Sequence, residues 1–337
     1  MMWPSLAIAF ATALVGTHFM RRYALKRQLI DHPNARSSHA QPTPRGGGVA
    51  IVVTFLAGLL ALFSFGEIPR DLFLALFPSS LAVAAFGFWD DHGHVPAKVR
   101  IAVHFAAAAW AVFWIGGPAT LDLGIVRLEW GWFGRAAYVV GLVWLLNLYN
   151  FMDGIDGIAG AEGLFVALAG AALVAGDPPL AWLLGLLGAS CAGFLVWNWP
   201  PAKIFMGDAG SGFIGLALGV MSLEAARPAP QLLWAWLILL GVFIVDATVT
   251  LIRRVLRGEK FYEAHRSHAY QYASRRLGSH RSVSLAVSAI NLIWLLPIAA
   301  LVAVGRLNGI LGIAIAYVPL VWLAFQFKAG ARELQEV

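Results

Sequence analysis

Asn150-Phe151-Met152-Asp153-Gly154-Ile155-Asp156-Gly157 stands between two apolar runs, near 135–150 and 159–176, and its reading decides the fold. Each flank approaches the roughly 20 residues that carry a helix across a bilayer. Carboxylates are costly beside lipid, so an apolar chain keeps few, and mostly where function needs them. Asn150, Asp153 and Asp156 are spaced three apart, which on a helical turn places their polar groups on one face. Gly154 and Gly157 would let backbone approach a ligand closely. A capped loop between helices is the plainer reading, since Asn and Asp are common caps. The spacing is not that of an EF-hand loop.

Working outward, the rest of the chain fits a membrane setting. Of its 337 residues 60% are hydrophobic and 12% charged, against about a quarter charged in a soluble protein. Apolar runs near 3–20, 48–66, 72–89, 101–117, 135–150, 159–176, 179–197, 213–226, 232–252, 283–304 and 309–327 predict an all-α integral membrane bundle of about 11 transmembrane helices. The run at 213–226 is the shortest. Residues 1–337 read as one polytopic domain, with polar loops near 23–47, 90–100, 150–158, 198–212 and 253–282. Nineteen of the 24 lysines and arginines fall in alternate loops or the C-terminal tail, leaving Arg70, Arg127, Arg135, Arg227 and Arg306 on the other side. By the positive-inside rule the basic loops face the cytoplasm, with the N-terminus outside and the C-terminus inside. The same bias accounts for the net charge of +6 without nucleic acid. Leu121 to Trp130 reads as a short external hairpin, with Trp130, Trp132 and Phe133 suited to the membrane interface. Met1 to Ser5 carry no positive charge, so the first run reads as an uncleaved helix. Cys191 is the only cysteine, which excludes disulfides and cysteine-based metal sites.

On this topology the remaining polar motifs gather on one side. Asp90-Asp91, followed by Lys98 and Arg100, is either a solvated helix end or part of a site. Lys203-Ile204-Phe205-Met206-Gly207-Asp208-Ala209-Gly210-Ser211-Gly212 sets one acid in a glycine-rich helix start, where backbone N–H groups can hold phosphate. Arg36 to Gly48 is rigid at Pro42 and Pro44 and flexible at its glycines. The loop Glu263-Ala264-His265-Arg266-Ser267-His268-Ala269-Tyr270-Gln271 lies between Arg253-Arg254 and Arg275-Arg276. It either rests on anionic headgroups or contacts the phosphates of a nucleotide or lipid. Asp246, inside an apolar run, is expected to pair with a basic neighbour. Acids clustered beside basic loops suit a divalent cation and a phosphate-bearing substrate.

Taken together, Pro42 to Gly47, Asp90-Asp91, Asn150 to Gly157, Phe205 to Gly212 and His265 to Gln271 resemble, in order, the motifs of the polyprenyl-phosphate N-acetylhexosamine-1-phosphate transferases. The resemblance covers most of the chain. It implies transfer of a sugar-1-phosphate from a UDP-linked N-acetylated sugar to polyprenyl (undecaprenyl) phosphate, with release of UMP, at the bacterial inner membrane. It implies that Asn150 and Asp208 ligate Mg2+, with Mn2+ as a substitute. Asp90 and Asp91 would handle the lipid phosphate, and Asp153 and Asp156 would complete the catalytic set. Arg45, Lys98, Phe205, His265, Arg266 and His268 would bind substrate, the last three facing the sugar nucleotide. The loop reads His-Arg-Ser-His rather than a run of adjacent histidines. That departure favours the branch that starts O-antigen or related polysaccharides over the peptidoglycan-precursor branch. The sugar (GlcNAc, FucNAc, QuiNAc or another), a homodimer, and direct attack against a covalent aspartyl intermediate all stay open.

A transporter or lipid flippase is the competing class. Such proteins set ionisable residues near the midplane and often show paired repeats. Here the acids sit at helix ends, and no repeat is visible.

Overall fold

The structure, a computed structural model, describes residues 2–33, 38–39, 41–93, 95–124, 126–259 and 265–332. Met1, Arg36, Glu263 and Ala264, named above, lie outside these residues. Every apolar run becomes helix: α1 Met2–Arg27, α2 Val49–Ser64, α3 Arg70–His92, α4 Ala97–Ile115, α5 Gly131–Phe151, α6 Ile158–Leu173, α7 Pro178–Asn198, α8 Asp208–Ala226, α9 Gln231–Leu239, α10 Gly241–Leu256, α11 Ala269–Leu277, α12 His280–Ile290, α13 Leu296–Ala303 and α14 Gly309–Gln326. Among the described residues, eight spans are long and apolar enough to cross a membrane. The α9–α10 pair is a ninth if counted as one, and α2 and α6 are shorter, at 16 residues each. The protein is an all-α, multi-pass membrane protein.

The shortest run read from the sequence becomes the centre of the bundle. It begins five residues earlier than expected, at Asp208, and 94% of its apolar window is enclosed, against 17% for α1. Glycines make that enclosure possible. A Cβ on Gly210 would stand 2.6 Å from the Gly48 Cα, so these two backbones touch. Gly48 itself has an ordinary helical φ of −62°. Close approach, rather than flexibility, is what glycine supplies there. α3 and α5 flank α8 on other sides.

Two crossings are not straight. α9 and α10 meet at 75°, and the bend carries Asp246 to the start of α11. Between α12 and α13 lies one π-helical turn, Asn291–Leu295, just before Pro297, which cannot donate to the helical ladder. From that turn Asn291 Nδ2 donates to Glu162 Oε2 of α6 at 2.5 Å.

The described strands are two short antiparallel pairs. Thr120–Asp122 pairs with Arg127–Glu129, the expected hairpin, and its Asp122 and Leu123 carbonyls accept from Trp234 and Asn308. Trp132 and Phe133 beside it are 81% and 85% exposed, as interface aromatics should be. At the opposite end Ile30–Asp31 pairs with Thr43–Pro44. The segment then runs along the α7–α8 loop, Phe205 N–H donating to the Pro44 carbonyl and Gly47 N–H to Phe205.

Candidate active site

The acidic motifs meet at one end of the bundle. A cavity of about 400 Å³ is lined by Asp31, His39, Arg45, Asp91, Asn150, Asp153, Asp156, Phe205, Asp208, Gln271 and His280, among others. A smaller recess between α3, α4, α5 and α8 is lined by Asp90, Arg100, His104 and Asn147. Asn150 and Asp208 line both.

Local structure explains how each side chain is held. Asp91, in the last turn of α3, accepts from the Asp208 amide at 3.1 Å and the Ala209 amide at 3.4 Å. It therefore caps the exposed N–H groups of α8. Gly207, at φ +79°, turns the chain into that arrangement, and a Cβ there would meet the Asp91 carboxylate. Arg45 donates to the Asp91 carbonyl. Asp90, its neighbour, faces the recess, accepting from Val95 N–H at 2.9 Å and from Arg100 at 3.1 Å. The same guanidinium is 3.8 Å from Asp208.

Asn150 ends α5, and its amide nitrogen donates to Asp208 at 2.9 Å and Ser211 at 3.0 Å. Asp156 is fixed on both oxygens: Ala202 N–H donates to one at 2.9 Å, and His280 stands 3.2 Å from the other. Burial would raise its carboxyl, but those hydrogen bonds and the charge of His280 bring it below its ordinary value. Asp153 is different. No described residue donates to its carboxylate, and burial, with Asp208, Asp91 and Asp156 beside it, holds it well above the usual range.

A carboxyl crowded by other acids, with oxygen donors from Asn150, Asp208 and Asp153, fits a hard divalent cation such as Mg2+. Among the described residues no three of His, Cys, Asp and Glu form a closed cage. Mg2+ is commonly held by one or two carboxylates and completed by water and substrate phosphates, so the open set suits it.

Several residues expected to bind substrate are elsewhere. Lys98 is exposed and outside both cavities; Arg100, two residues on, is the cation that reaches the acids. His265, Arg266 and His268 do not line the cavity either. His268 is 3% exposed and stands 3.3 Å from Asp246, stacked against His265. Burial, then the neighbouring His268 and Arg254, push His265 down to about 3. The basic neighbour of Asp246 is His268, and its carboxylate also accepts the Ala269 and Tyr270 amides at 2.9 Å each and caps α11. This helix docks on the 150–157 loop through Tyr270, whose hydroxyl donates to the Phe151 carbonyl, and it sends Gln271 into the cavity.

Sequence reasoning missed Asp31, Asn198 and His280 and gave His39 no role. Lone polar residues carry no spacing signal. Asn198 accepts from Gly157 N–H and donates to the Ile204 carbonyl, both at 3.0 Å, joining two motif loops. His39 lies 3.2 Å from Asp31, its ring 4.9 Å from that of Phe205.

Fold and cavity together define a multi-pass membrane protein with an acidic, oxygen-lined site at one end of its bundle. The chain belongs to the polyprenyl-phosphate N-acetylhexosamine-1-phosphate transferases: residues 73–226, which hold Asp90, Asp91, Asn150 to Gly157 and Asp208, match the model of glycosyl transferase family 4. It is 31% identical over 298 residues to a probable undecaprenyl-phosphate N-acetylglucosaminyl 1-phosphate transferase of Bacillus subtilis (strain 168), spanning 85% of this chain and 81% of that one. A decaprenyl-phosphate N-acetylglucosaminephosphotransferase of Mycolicibacterium smegmatis is 30% identical, over 84% and 78% of the two chains. A phospho-N-acetylmuramoyl-pentapeptide-transferase of Thermosynechococcus vestitus is also 30% identical, over 75% and 69%.

Proposed function

We infer that the protein transfers an N-acetylated sugar-1-phosphate, N-acetylglucosamine-1-phosphate first among them, from a UDP-sugar to undecaprenyl phosphate. The observation that carries this reading is that Asn150 and Asp208 belong to both cavities. The large cavity would take the soluble nucleotide sugar, and the small recess marks the side from which a lipid phosphate would approach, so their phosphates would meet at those two residues. The relatives named for N-acetylglucosamine-phosphate transfer to polyprenyl phosphates support the substrate pair.

In the reaction, an oxygen of the lipid phosphate forms a bond to the β-phosphorus of the UDP-sugar. The bond from that phosphorus to the bridging oxygen breaks, and UMP leaves with the electron pair. Both reactants are anionic, so positioning and charge neutralisation dominate the barrier. Asn150 and Asp208, with Asp153 facing them, would hold Mg2+ (or Mn2+), which supplies neutralisation of the diphosphate. Arg100, steered by Asp90, attracts the lipid phosphate. Phe205 and His39 offer ring faces to the nucleotide. Direct attack is preferred over an intermediate on Asp91 or Asp156, whose oxygens are engaged by backbone amides and, in Asp156, also by His280. The acidic end faces the cytoplasm of a bacterial inner membrane, from the distribution of basic residues. The His-Arg-Ser-His loop supports a role in starting O-antigen or a related polysaccharide.

Purified protein mixed with UDP-GlcNAc, undecaprenyl phosphate and Mg2+ should release UMP and form a lipid-linked product. UMP release that does not require the lipid phosphate, or none at all with any UDP-linked N-acetylated sugar, would refute the assignment. A flippase would move lipid and release no UMP.

A further inference from the structure

His280 opens α12, held there by Ser279, whose hydroxyl accepts the Ser282 amide at 3.1 Å. Its ring reaches back into the cavity and stands between two acceptors. Nε2 is 2.9 Å from the Ser38 carbonyl, and Nδ1 is 3.2 Å from the Asp156 carboxylate. A carbonyl only accepts, so Nε2 carries a proton. A neutral ring would then point a lone pair at the carboxylate and keep only a 3.4 Å contact from the Asp156 amide. A doubly protonated ring donates to both acceptors.

The geometry makes this ring the fastening of one cavity wall. Ser38 and His39 lie on the segment that ends at Thr43–Pro44 and runs along Phe205. At its Arg45 end that segment is tied by backbone hydrogen bonds to Phe205 and Met206. At its Ser38 end the described tie to the helical bundle is His280. Asp156, the other partner, is itself anchored by Ala202 N–H and, through its carbonyl, by Ser284 of α12 at 2.9 Å.

We propose that His280, as an imidazolium joining Ser38 to Asp156, is a positioning residue that holds the His39–Phe205 wall against the sugar nucleotide. This rests on the functional reading above. His280 touches no reacting atom; it acts through the wall. The titratable and charged groups sharing its cavity are Asp31, His39, Arg45, Asp91, Asp153, Asp156 and Asp208. Of the elements packed on α12, α11 carries Arg275 and Arg276, and α6 carries Glu162, bonded to Asn291. Asp156, held below its ordinary value, stays ionised through the neutral range. Loosening of the clamp as pH rises therefore falls to the imidazolium.

Two measurements on the full chain test this. In the first, His280→Ala should raise KM for the UDP-sugar about tenfold while kcat changes less than about threefold, as loss of binding geometry predicts. Wild-type kcat/KM should fall on the alkaline side as the ring loses its proton, and His280→Arg, a permanent cation, should remove that fall. An unchanged KM in His280→Ala, or the same alkaline fall in His280→Arg, would overturn the proposal.

The second measurement does not depend on turnover. The Ser38 hydroxyl is buried and has no hydrogen-bond partner among the described residues, so Ser38→Cys in a Cys191→Ala background is a near-isosteric reporter. Maleimide labelling at neutral pH should quicken about tenfold when His280→Ala is added, as the segment opens locally, and should slow again with His280→Arg. Equal rates in all three overturn the clamp. If wild type releases no UMP, the functional reading fails while labelling still judges the clamp.

Discussion

At the scale of single residues, the carboxylates divide by what already holds them. Asp91 and Asp156 accept backbone amides and are built into the walls, whereas Asp153 has no described donor and Asp208 sits where the two cavities join. Asp208→Asn should therefore cut turnover a hundredfold or more while the protein still folds, since charge neutralisation is worth several kcal/mol of barrier. Turnover at limiting Mg2+, beside a thermal melt, checks it. Arg100→Ala should cost at least tenfold in kcat/KM for the lipid phosphate, and Lys98→Ala almost nothing, because only Arg100 reaches the acids. Near-equal losses would return Lys98 to the site. Spacing picked out Asn150 and Asp153, and the glycine-rich helix start picked out Asp208, and the fold brings all three to one cavity. The sequence could not tell Lys98 from Arg100, because that choice depends on which face of α4 turns toward Asp90.

At the scale of elements, the site depends on helix starts meeting carboxylates from distant segments. Asp91 caps α8 and Asp246 caps α11, each reaching across the bundle. Asp246→Ala strands two amides and leaves His268 without its partner, at about 1–3 kcal/mol for each orphaned buried group. A lower melting temperature and weaker UDP-sugar binding should appear together, because α11 carries Gln271 into the cavity. A second prediction concerns Gly87, one turn before Asp91. A Cβ there would lie 2.6 Å from the Ala209 nitrogen and the Asp208 carbonyl carbon, and backbone has little room to give. Gly87→Ala should lower kcat far more than it lowers stability, as small displacements of reacting groups do; a parallel loss of both would refute this. Neither cap was legible beforehand. The expectation for Asp246 was a basic neighbour; the 75° bend between α9 and α10 brings it to His268 and the α11 amides.

At the scale of the whole molecule, the apolar runs and the one-sided charge were enough to foresee a helical bundle with its acids at one end. Hydropathy could not rank the helices by depth, since lipid and a neighbouring helix look alike to it. The proposed orientation is open to direct test. In a Cys191→Ala background, an impermeant maleimide added to intact cells should label Phe133→Cys and spare Arg276→Cys, both positions being exposed. The reverse pattern would invert the topology. The enclosure of α8 has a practical consequence. Its flanks are protein nearly everywhere, so replacing lipid by a mild detergent exchanges the solvent around α1 and α14 and leaves the scaffold of Asp208 almost unwetted. Calorimetric affinity for the UDP-sugar should thus be the same in micelles and in nanodiscs, while KM for the lipid phosphate should shift with the amphiphile chosen. Solubilisation would then separate the two substrates of one enzyme.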